Sequence, residues 1–351
     1  MVEVRTFEGD AAEAAWFINR VWQSSYGKSV ALPVWNSRFM DWLLFRGGQA
    51  PRDYLLAAYD KGTLVGTLFA EPARIRLGAQ EVDGTHGSRA SVADSHRGEG
   101  VAGKLARELL LRHRDRGARL SLGCVTTGAR ESGFWKQAWN KRHIQGLGLW
   151  AHVFDARALA RGAFTDTQRH LLTLARPFLR QGFREADTRG IRPYHPNDLL
   201  RCLSLVRRMM QPVTLGFTYT AERLAHQLQY QDVPRTFVLE QDGEVQGFVN
   251  TYSLEVTGKG SHSVTSEVVD LVAFDESVSC ADRQRLLQGV MQDMERRGVA
   301  CAGMLRSPSL PASVMLRTGW LPLPGGAKLT CLLPGSNMPL PESLNVFTHL
   351  R

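Results

Sequence analysis

Cysteine is scarce in this chain: five occur among 351 residues, an odd number, and no two form a Cys-x-x-Cys pair. That scarcity argues against a disulfide framework and against a structural zinc site. The sequence also lacks an apolar run of the roughly 18 residues that a membrane-spanning helix needs. Its first residues lack the basic-then-apolar layout of a signal peptide. We therefore expect a cytoplasmic protein that has no membrane span and no metal centre.

The composition is that of a globular protein, with 43% hydrophobic and 22% charged residues. Glycine and proline are scattered without a period, which excludes a collagen-like chain. A length of 351 residues exceeds what one core usually organises, so two domains are expected. The net charge of +9 favours an anionic partner, and the phosphates of a cofactor, nucleic acid or an acidic carrier protein would all qualify.

The predicted elements follow one order twice. In the first part of the chain they are a helix over 11–23, a hairpin over 55–68, a strand over 88–93, a helix over 100–114, a strand over 120–125, a helix over 131–142 and a strand over 147–154. In the second part they are a hairpin over 236–249, a strand over 269–274, a helix over 281–297 and a strand over 299–305. An internal repeat of this length implies two copies of one fold.

We predict domains over 1–155 and 185–335, joined by a basic linker over 156–184 and followed by a tail over 336–351. The linker carries six arginines and an apolar side. A basic amphipathic segment can bind a lipid chain or an acidic partner. We favour a linker helix whose apolar side packs on the junction between the two domains.

The most informative motif lies between a predicted strand and a long predicted helix. Gly98 and Gly100 lie at the N-terminal end of the predicted helix, where residues without a Cβ let backbone amides approach an anion. The free N–H groups of the first turn and the helix dipole then favour phosphate. The segment matches neither the Walker A loop nor the dinucleotide fingerprint. It therefore predicts a phosphate cradle of another kind.

Residues 97–102, which read Arg-Gly-Glu-Gly-Val-Ala, resemble the (Gln/Arg)-x-x-Gly-x-(Gly/Ala) pyrophosphate loop of the GNAT superfamily of N-acetyltransferases. Val92 fits the lead-in of that motif, although Asp94 stands where the family usually has proline. The resemblance implies an α/β (α+β) protein of two tandem GNAT-like domains, each a mixed, mostly antiparallel sheet flanked by helices. It also implies acetyl-CoA or a longer acyl-CoA as co-substrate. The residues it assigns to coenzyme binding are Ser91, Val92, Arg97, Gly98, Glu99, Gly100, Val101 and Ala102.

The second copy departs from this motif. Its corresponding segment has no Arg-Gly-x-Gly, and Asp275 and Glu276 stand where phosphates would bind. Gly319-Trp320 nevertheless resembles the family's terminal Gly-(Phe/Trp) segment. We expect a GNAT fold that has lost coenzyme binding. The tandem arrangement resembles the mycothiol synthase and N-myristoyltransferase families, in which one copy binds the acyl donor and the pair encloses the acceptor.

The resemblance implies a general base and a general acid, which amide formation from a thioester requires. The helix at 134–139 lacks the tyrosine that the family often uses as the acid. The candidate bases are Asp83 and His86, just before the strand over 88–93, and Glu267 and Asp270 on a strand expected to face the cleft between the domains. The terminal carboxylate of Arg351 is a third candidate, since N-myristoyltransferase-like enzymes use their chain terminus. Each also has a purely structural interpretation, as a loop histidine, solvated carboxylates or a frayed end.

The function implied is that of an N-acyltransferase, and most simply an N-acetyltransferase. The acyl group would move from acyl-CoA to a small-molecule or peptide amine bound between the domains. Two alternatives stay open: a donor such as an acyl carrier protein or aminoacyl-tRNA, and a non-catalytic acyl-CoA sensor. Nucleic-acid binding is not favoured, because the basic residues are dispersed and no aromatics are interleaved with them.

Overall fold

A computed structural model of the chain describes residues 1–126, 141–179, 187–333 and 344–350. Residues 131–140 of the helix predicted over 131–142 lie outside these ranges, as does Arg351. The helices are α1 (Ala11–Tyr26), α2 (Ser37–Met40), α3 (Val101–Arg116), α4 (Ala156–Arg161), α5 (Asp166–Leu179), α6 (Leu199–Met209), α7 (Ala221–Leu228), α8 (Cys280–Arg296) and α9 (Ala312–Arg317). Within the described ranges, no helix combines the length and apolar character needed to cross a membrane.

Strands account for most of the rest of the described chain. They are β1 (Glu3–Thr6), β2 (Leu32–Val34), β3 (Leu55–Asp60), β4 (Thr63–Leu77), β5 (Gln80–Val92), β6 (Leu120–Thr126), β7 (Lys141–Val153), β8 (Ile191–Pro193), β9 (Leu215–Thr218), β10 (Pro234–Gln241), β11 (Glu244–Thr257), β12 (Ser263–Phe274), β13 (Cys301–Leu305), β14 (Leu321–Leu332) and β15 (Val346–Phe347). The other predicted hairpins, strands and helices of both copies are present, whereas residues 141 and 142, predicted as the end of a helix, begin β7. Several strands are longer than predicted, above all β4, β5 and β12.

The first half of the chain, residues 1–155, places helices on both faces of its strands. Alternation along β3 directs Leu55 towards α1 and α2, whereas Leu56 packs beneath α3. Helix α3 buries Val101 and Leu105 on that second face. Gly66 on β4 lets the helix approach, since a Cβ there would lie 3.0 Å from Val101. Helix α3 thus forms the crossover between β5 and β6, which run parallel.

The second half, residues 187–350, repeats the order with its own core. Strands β10, β11 and β12 are antiparallel, and β13 runs parallel to β12. Helix α8 lies on one face and buries the apolar residues that the periodicity predicted: Leu286, Leu287, Val290, Met291 and Met294. The indole Nε1 of Trp320 donates to Sδ of Met291 at 3.1 Å, so the Gly319-Trp320 segment is part of this core.

The two halves exchange strands. Strand β14 of the second half lies between β6 and β7 of the first, with Leu329 opposite Cys124, and β7 in turn pairs with β13. Strand β4 also pairs with β9, where Ile75 lies opposite Phe217. The result is one continuous, mostly antiparallel mixed sheet flanked by helices, which confirms the predicted fold class. The division at residues 155 and 185 stays a proposal.

The predicted linker region forms α4 and α5. Residue Asp155 caps α4, since its carboxylate accepts from the N–H groups of residues 157 and 158. Helix α4 is fastened to the second half, because Nε2 of His262 donates to the Ala158 carbonyl at 3.0 Å and Lys259 N donates to the Gly162 carbonyl at 2.9 Å. The apolar side predicted to pack on the junction lies on α5, and residues 180–186 of the predicted linker lie outside the described ranges, so that part stays a prediction.

Candidate active site

The glycine loop between β5 and α3 has the geometry of an anion cradle. Gly98 and Gly100 have φ angles of 82° and 76°, in the left-handed region that favours glycine. A Cβ added at either residue would meet no atom within 4 Å, so the space above the loop is open. The first helical bond of α3 runs from Lys104 N to the Gly100 carbonyl at 3.0 Å. The N–H groups of residues 101–103 therefore point out of the helix end, where the dipole favours an anion.

Two side chains fasten this loop to α1. The carboxylate of Asp94 accepts from Ser24, and the guanidinium of Arg97 donates to Ser25 and lies 3.0 Å from Asp94. Asp94 stands where the GNAT motif usually has proline, and here it supplies the anchor. Glu99 is exposed, as expected of a carboxylate beside an anion site.

Strand β5 is irregular where it approaches the loop. Ser91 lies opposite Thr67 and Ser88 opposite Phe69, so two residues of β5 face the single Leu68 of β4. Arg89, inside this bulge, has a φ of 53°. Such a bulge turns the backbone N–H groups away from the regular ladder. The hydroxyl of Ser91 accepts from the indole of Trp22 at 2.9 Å, which ties the strand to α1.

On the side of the bulge away from the glycine loop, β5 pairs with β6 over a short stretch. Residues 84–86 of β5 pair with residues 120–122 of β6, and the two strands run parallel. Gly87 and Gly123 still lie close together, since a Cβ on Gly123 would lie 2.6 Å from the Gly87 carbonyl oxygen. The described parts of the strands form no further pairs towards the glycine loop. The end of this ladder is therefore the point where a ligand held by the loop could enter the sheet.

A cavity of about 420 Å³ is lined by both halves, and His86, the last paired residue of this ladder, belongs to its lining. His86 and Gly84 contribute from β5, and Phe217, Tyr219 and His349 from the second half. Ion pairs stand among the lining residues: Arg74 lies 2.8 Å from Asp83, and Arg116 lies 2.7 Å from Asp53. The cavity thus combines an apolar and aromatic wall with titratable and charged groups.

Of the candidate bases in the first half, His86 lies deeper than Asp83. The His86 side chain is buried and packs edge-on against Phe217, with ring centroids 5.0 Å apart. Asp83 is exposed and paired with Arg74, and the hydrogen bond from that guanidinium to Asp83 raises the pKa of Arg74. The structure therefore brings both predicted residues to the same cavity but leaves Asp83 at its outer edge.

The second half adds an imidazole that the sequence did not single out. Nδ1 of His349 lies 3.0 Å from Oδ1 of Asp270, and Nε2 of His349 lies 2.5 Å from the hydroxyl of Tyr219. The other oxygen of Asp270 accepts from Nε2 of Gln227 at 2.8 Å. The ring centroid of His349 is 6.5 Å from that of His86. No local pattern reveals this cluster, because its members come from three distant segments.

Glu267 lies elsewhere, inside the second half. Its buried carboxylate accepts two bonds from Arg297, at 3.0 and 3.1 Å, and further bonds from Thr251 and Ser253. Arg297 is itself held by Asp293 at 2.8 Å. Glu267 does not belong to the lining of the cavity described above. The structure therefore separates two carboxylates, Glu267 and Asp270, that the sequence places on one strand.

The corresponding segment of the second copy is held by ion pairs and hydrogen bonds of Asp275. The carboxylate of Asp275 lies 3.0 Å from Arg201 and 2.7 Å from Arg208, and it accepts from the Ser277 backbone at 3.2 Å. Burial acts to raise the pKa of Asp275, but the Ser277 hydrogen bonds and the two arginines lower it overall. The segment before α8 therefore carries an internal anion with its own partners, and it lacks the glycine motif of the first copy.

Comparisons with known proteins agree with this geometry. Residues 7–132 match the family model described as an acetyltransferase (GNAT) domain. Three solved structures of N-myristoyltransferase from Saccharomyces cerevisiae are similar to the chain, each at 14% sequence identity. A structure with bound myristoyl-CoA has a TM-score of 0.74 and covers 94% of this chain and 82% of its own. A second such structure also scores 0.74 (94% and 78%), and one with inhibitors as well scores 0.73 (95% and 80%). No curated protein matches the sequence.

Residues 7–132 therefore match a GNAT domain, and the loop over 97–102 lies within the matched range. Taken over almost its whole length, the chain adopts the fold of the N-myristoyltransferases. The domain match and the fold agree with the resemblance on which the sequence prediction rests.

Proposed function

We propose that this protein is an acyl-CoA-dependent N-acyltransferase. The observation that carries the proposal is the open glycine cradle at the end of β5, the strand that also contributes His86 to a cavity lined by both halves of the chain. The GNAT domain match supports it, and so does the similarity to N-myristoyltransferases solved with bound myristoyl-CoA.

The coenzyme lies with its pyrophosphate on the backbone amides of residues 97–102. Gly98 and Gly100 leave the room that phosphate oxygens need, and the end of α3 supplies the favourable dipole. The pantetheine arm follows β5 past Val92 and Ser91 to the end of the β5–β6 ladder. There the bulge at Arg89 presents backbone N–H groups that polarise the thioester carbonyl.

The acceptor is an amine that enters from the cavity. An ammonium group must lose a proton before its nitrogen attacks the thioester carbon. The C–N bond then forms, the C–S bond breaks, and the leaving thiolate takes up a proton. Two imidazoles, those of His86 and His349, border the cavity and can take the proton from the amine.

A thiol-release assay on the wild-type protein tests this function. Acetyl-CoA and myristoyl-CoA are supplied separately, each with triglycine as a peptide amine and with spermidine as a small polyamine. We expect amine-dependent release of coenzyme A and a product that carries an amide. The two donors also test acyl-chain length, which the sequence leaves open.

Two results would contradict the proposal. Tight binding of acyl-CoA without thiol release on any amine would favour the non-catalytic sensor. Release from an acyl carrier protein thioester, and from neither coenzyme A ester, would favour the carrier-protein donor.

A further inference from the structure

Three buried side chains form a continuous chain of hydrogen bonds that ends on the wall of the cavity. Asp270 contacts His349, and His349 contacts Tyr219, at 3.0 and 2.5 Å. The side chain of Asp270 is fully buried and that of His349 is 4% exposed. Tyr219 and His349 both line the cavity, so the chain runs from the interior of the second half to the space assigned to the acceptor.

The order of these groups fixes where the proton lies. A carboxylate only accepts hydrogen bonds, so Nδ1 of His349 donates to Asp270. Nε2 then carries a lone pair directed at the hydroxyl of Tyr219. Gln227 donates to the second oxygen of Asp270, which holds the carboxylate in place from the other side. A buried carboxylate beside an imidazole also stabilises the imidazolium that forms when Nε2 takes up a proton.

Aromatic packing holds the imidazole in this orientation. The ring of Phe217 lies nearly parallel to that of His349, with an interplanar angle of 25° and centroids 5.7 Å apart. Phe347 packs against its edge, with centroids 5.4 Å apart. The imidazole therefore meets the requirements of a preorganised base: one tautomer, one orientation and a path to the cavity.

We propose that His349 is the general base of the acyl transfer, with Asp270 as its positioning carboxylate and Tyr219 as the group that passes the proton. This inference rests on the proposed function. The ammonium of the acceptor donates to the Tyr219 oxygen while the Tyr219 hydroxyl proton moves to Nε2 of His349. The neutral amine attacks the thioester carbon, the C–S bond breaks, and a second proton leaves the nitrogen as the amide forms. The imidazolium returns its proton to the thiolate, so one proton is released for each turnover.

Steady-state kinetics of three variants, His349→Gln, Asp270→Asn and Tyr219→Phe, test the relay. The substrates are acetyl-CoA or myristoyl-CoA, whichever the wild type uses, with triglycine or spermidine. We expect kcat to fall by about 100-fold or more for His349→Gln and by at least about tenfold for the other two. Coenzyme A affinity stays within about twofold, because none of these residues contacts the glycine loop. The acid limb of the kcat/KM profile disappears in His349→Gln, and added imidazole restores part of the activity of His349→Gly.

Two substitutions outside the relay serve as controls for the loss of an imidazole and of a tyrosine hydroxyl. His152→Gln removes a buried imidazole that packs against Trp320 in the second half. Tyr59→Phe removes the hydroxyl of a β3 ring whose centroid lies 4.5 Å from the guanidinium carbon of Arg5. Both should keep kcat within about twofold of the wild type.

The outcomes separate the relay from the function on which it rests. A wild type that releases no thiol overturns the proposed function and the relay together. An active wild type whose His349→Gln and Tyr219→Phe variants keep normal kcat and pH profiles overturns the relay alone. A loss confined to a His86→Gln variant overturns it as well. If His349→Gln fails to bind coenzyme A because it is misfolded, the smaller change, Tyr219→Phe, decides the matter.

Discussion

Trp42 and His226 are hydrogen-bonded to each other twice across the junction between the halves. The indole Nε1 of Trp42 donates to the His226 carbonyl at 3.1 Å, and Nε2 of His226 donates to the Trp42 carbonyl at 2.6 Å. Trp42 lies in the π-helical turn Asp41–Phe45 that continues α2, and His226 lies on α7. This reciprocal pair ties together the two segments that stand beside the proposed acceptor cavity.

The pair makes stability depend on pH. Burial lowers the pKa of His226 from its usual 6.5 to about 4. Between these values the unfolded chain binds a proton that the folded chain does not, so stability falls as the pH drops from about 6.5 to about 4. After allowance for partial exposure, we expect a loss of about 1 kcal/mol from this residue between pH 7 and pH 5.

Urea unfolding at pH 7 and pH 5 measures that loss. A His226→Gln variant should lose less stability over this range than the wild type, by about the same amount. The exposed His170 provides the control, because a His170→Gln variant should keep the wild-type pH dependence. Equal pH dependence in all three proteins would show that His226 takes no part.

Coenzyme binding at the glycine loop can be tested with a pair of matched glycines. Gly100 and Gly117 flank α3, with φ angles of 76° and 73°, and a Cβ on either would meet nothing within 4 Å. Valine at either position therefore carries a similar backbone strain of about 1–3 kcal/mol. Only Gly100→Val places a side chain in the proposed phosphate cradle, so it should weaken coenzyme A binding at least about tenfold. Calorimetric titration of both variants decides this, and equal affinities would rule out the loop.

The second copy should bind no coenzyme. Ser277→Val alters the loop that corresponds to the cradle, and we expect it to leave coenzyme A affinity unchanged, with one coenzyme bound per chain. A second site in the titration of the wild type would contradict this expectation.

The ion pairs of that same loop should act on stability instead. Asp275→Asn leaves Arg201 and Arg208 without their shared anion and should cost about 1–3 kcal/mol of unfolding free energy. Asp232→Asn is the control: Asp232 pairs with Arg38 on the surface, where both side chains are more than 60% exposed. That change should cost less than about 1 kcal/mol. Denaturant titration of both variants compares the two costs directly.

Substitutions of Glu267 and Asp270 should have different effects on kcat. Glu267→Gln breaks a buried pair with Arg297, so we expect a loss of stability of about 3 kcal/mol and a kcat within about twofold of the wild type. Asp270→Asn should instead lower kcat with coenzyme A affinity retained. Measurement of kcat and unfolding free energy for both variants distinguishes a structural carboxylate from a positioning one. A large fall in kcat for Glu267→Gln alone would reverse the assignment.

Much of each half could be predicted because its signals are local. The turn at Lys61-Gly62 adopts the left-handed angles of 48° and 81° that a tight hairpin needs, and only Glu99 separates the two glycines of the cradle. Helical periodicity places Leu286 and Val290 in the core of the second half. Such features depend on a few neighbouring residues, so the sequence alone indicates them.

The features that the sequence could not indicate depend on distant partners. Cys124 pairs with Leu329 across some two hundred positions, and nothing within β6 or β14 encodes that choice. His349 meets Asp270 and Tyr219, the contacts on which its proposed role rests, only because residues 344–350 lie against both. Glu267 resembles a strand-edge carboxylate until Arg297 is seen to bind it. Long-range pairing therefore determines the chemistry of the site, whereas short-range pattern determines its framework.

The exchange of β14 and β7 also determines when, during translation, β6 can pair with its neighbour. When the ribosome has made residues 1–155, β6 has no β14 beside it and presents an unpaired edge to the cell. That edge is covered only after Leu332 has left the exit tunnel, many seconds later at ordinary elongation rates. A nascent chain that stalls in between exposes a strand prone to association with other chains. Chaperone capture of stalled chains should therefore end abruptly once residues 321–332 emerge.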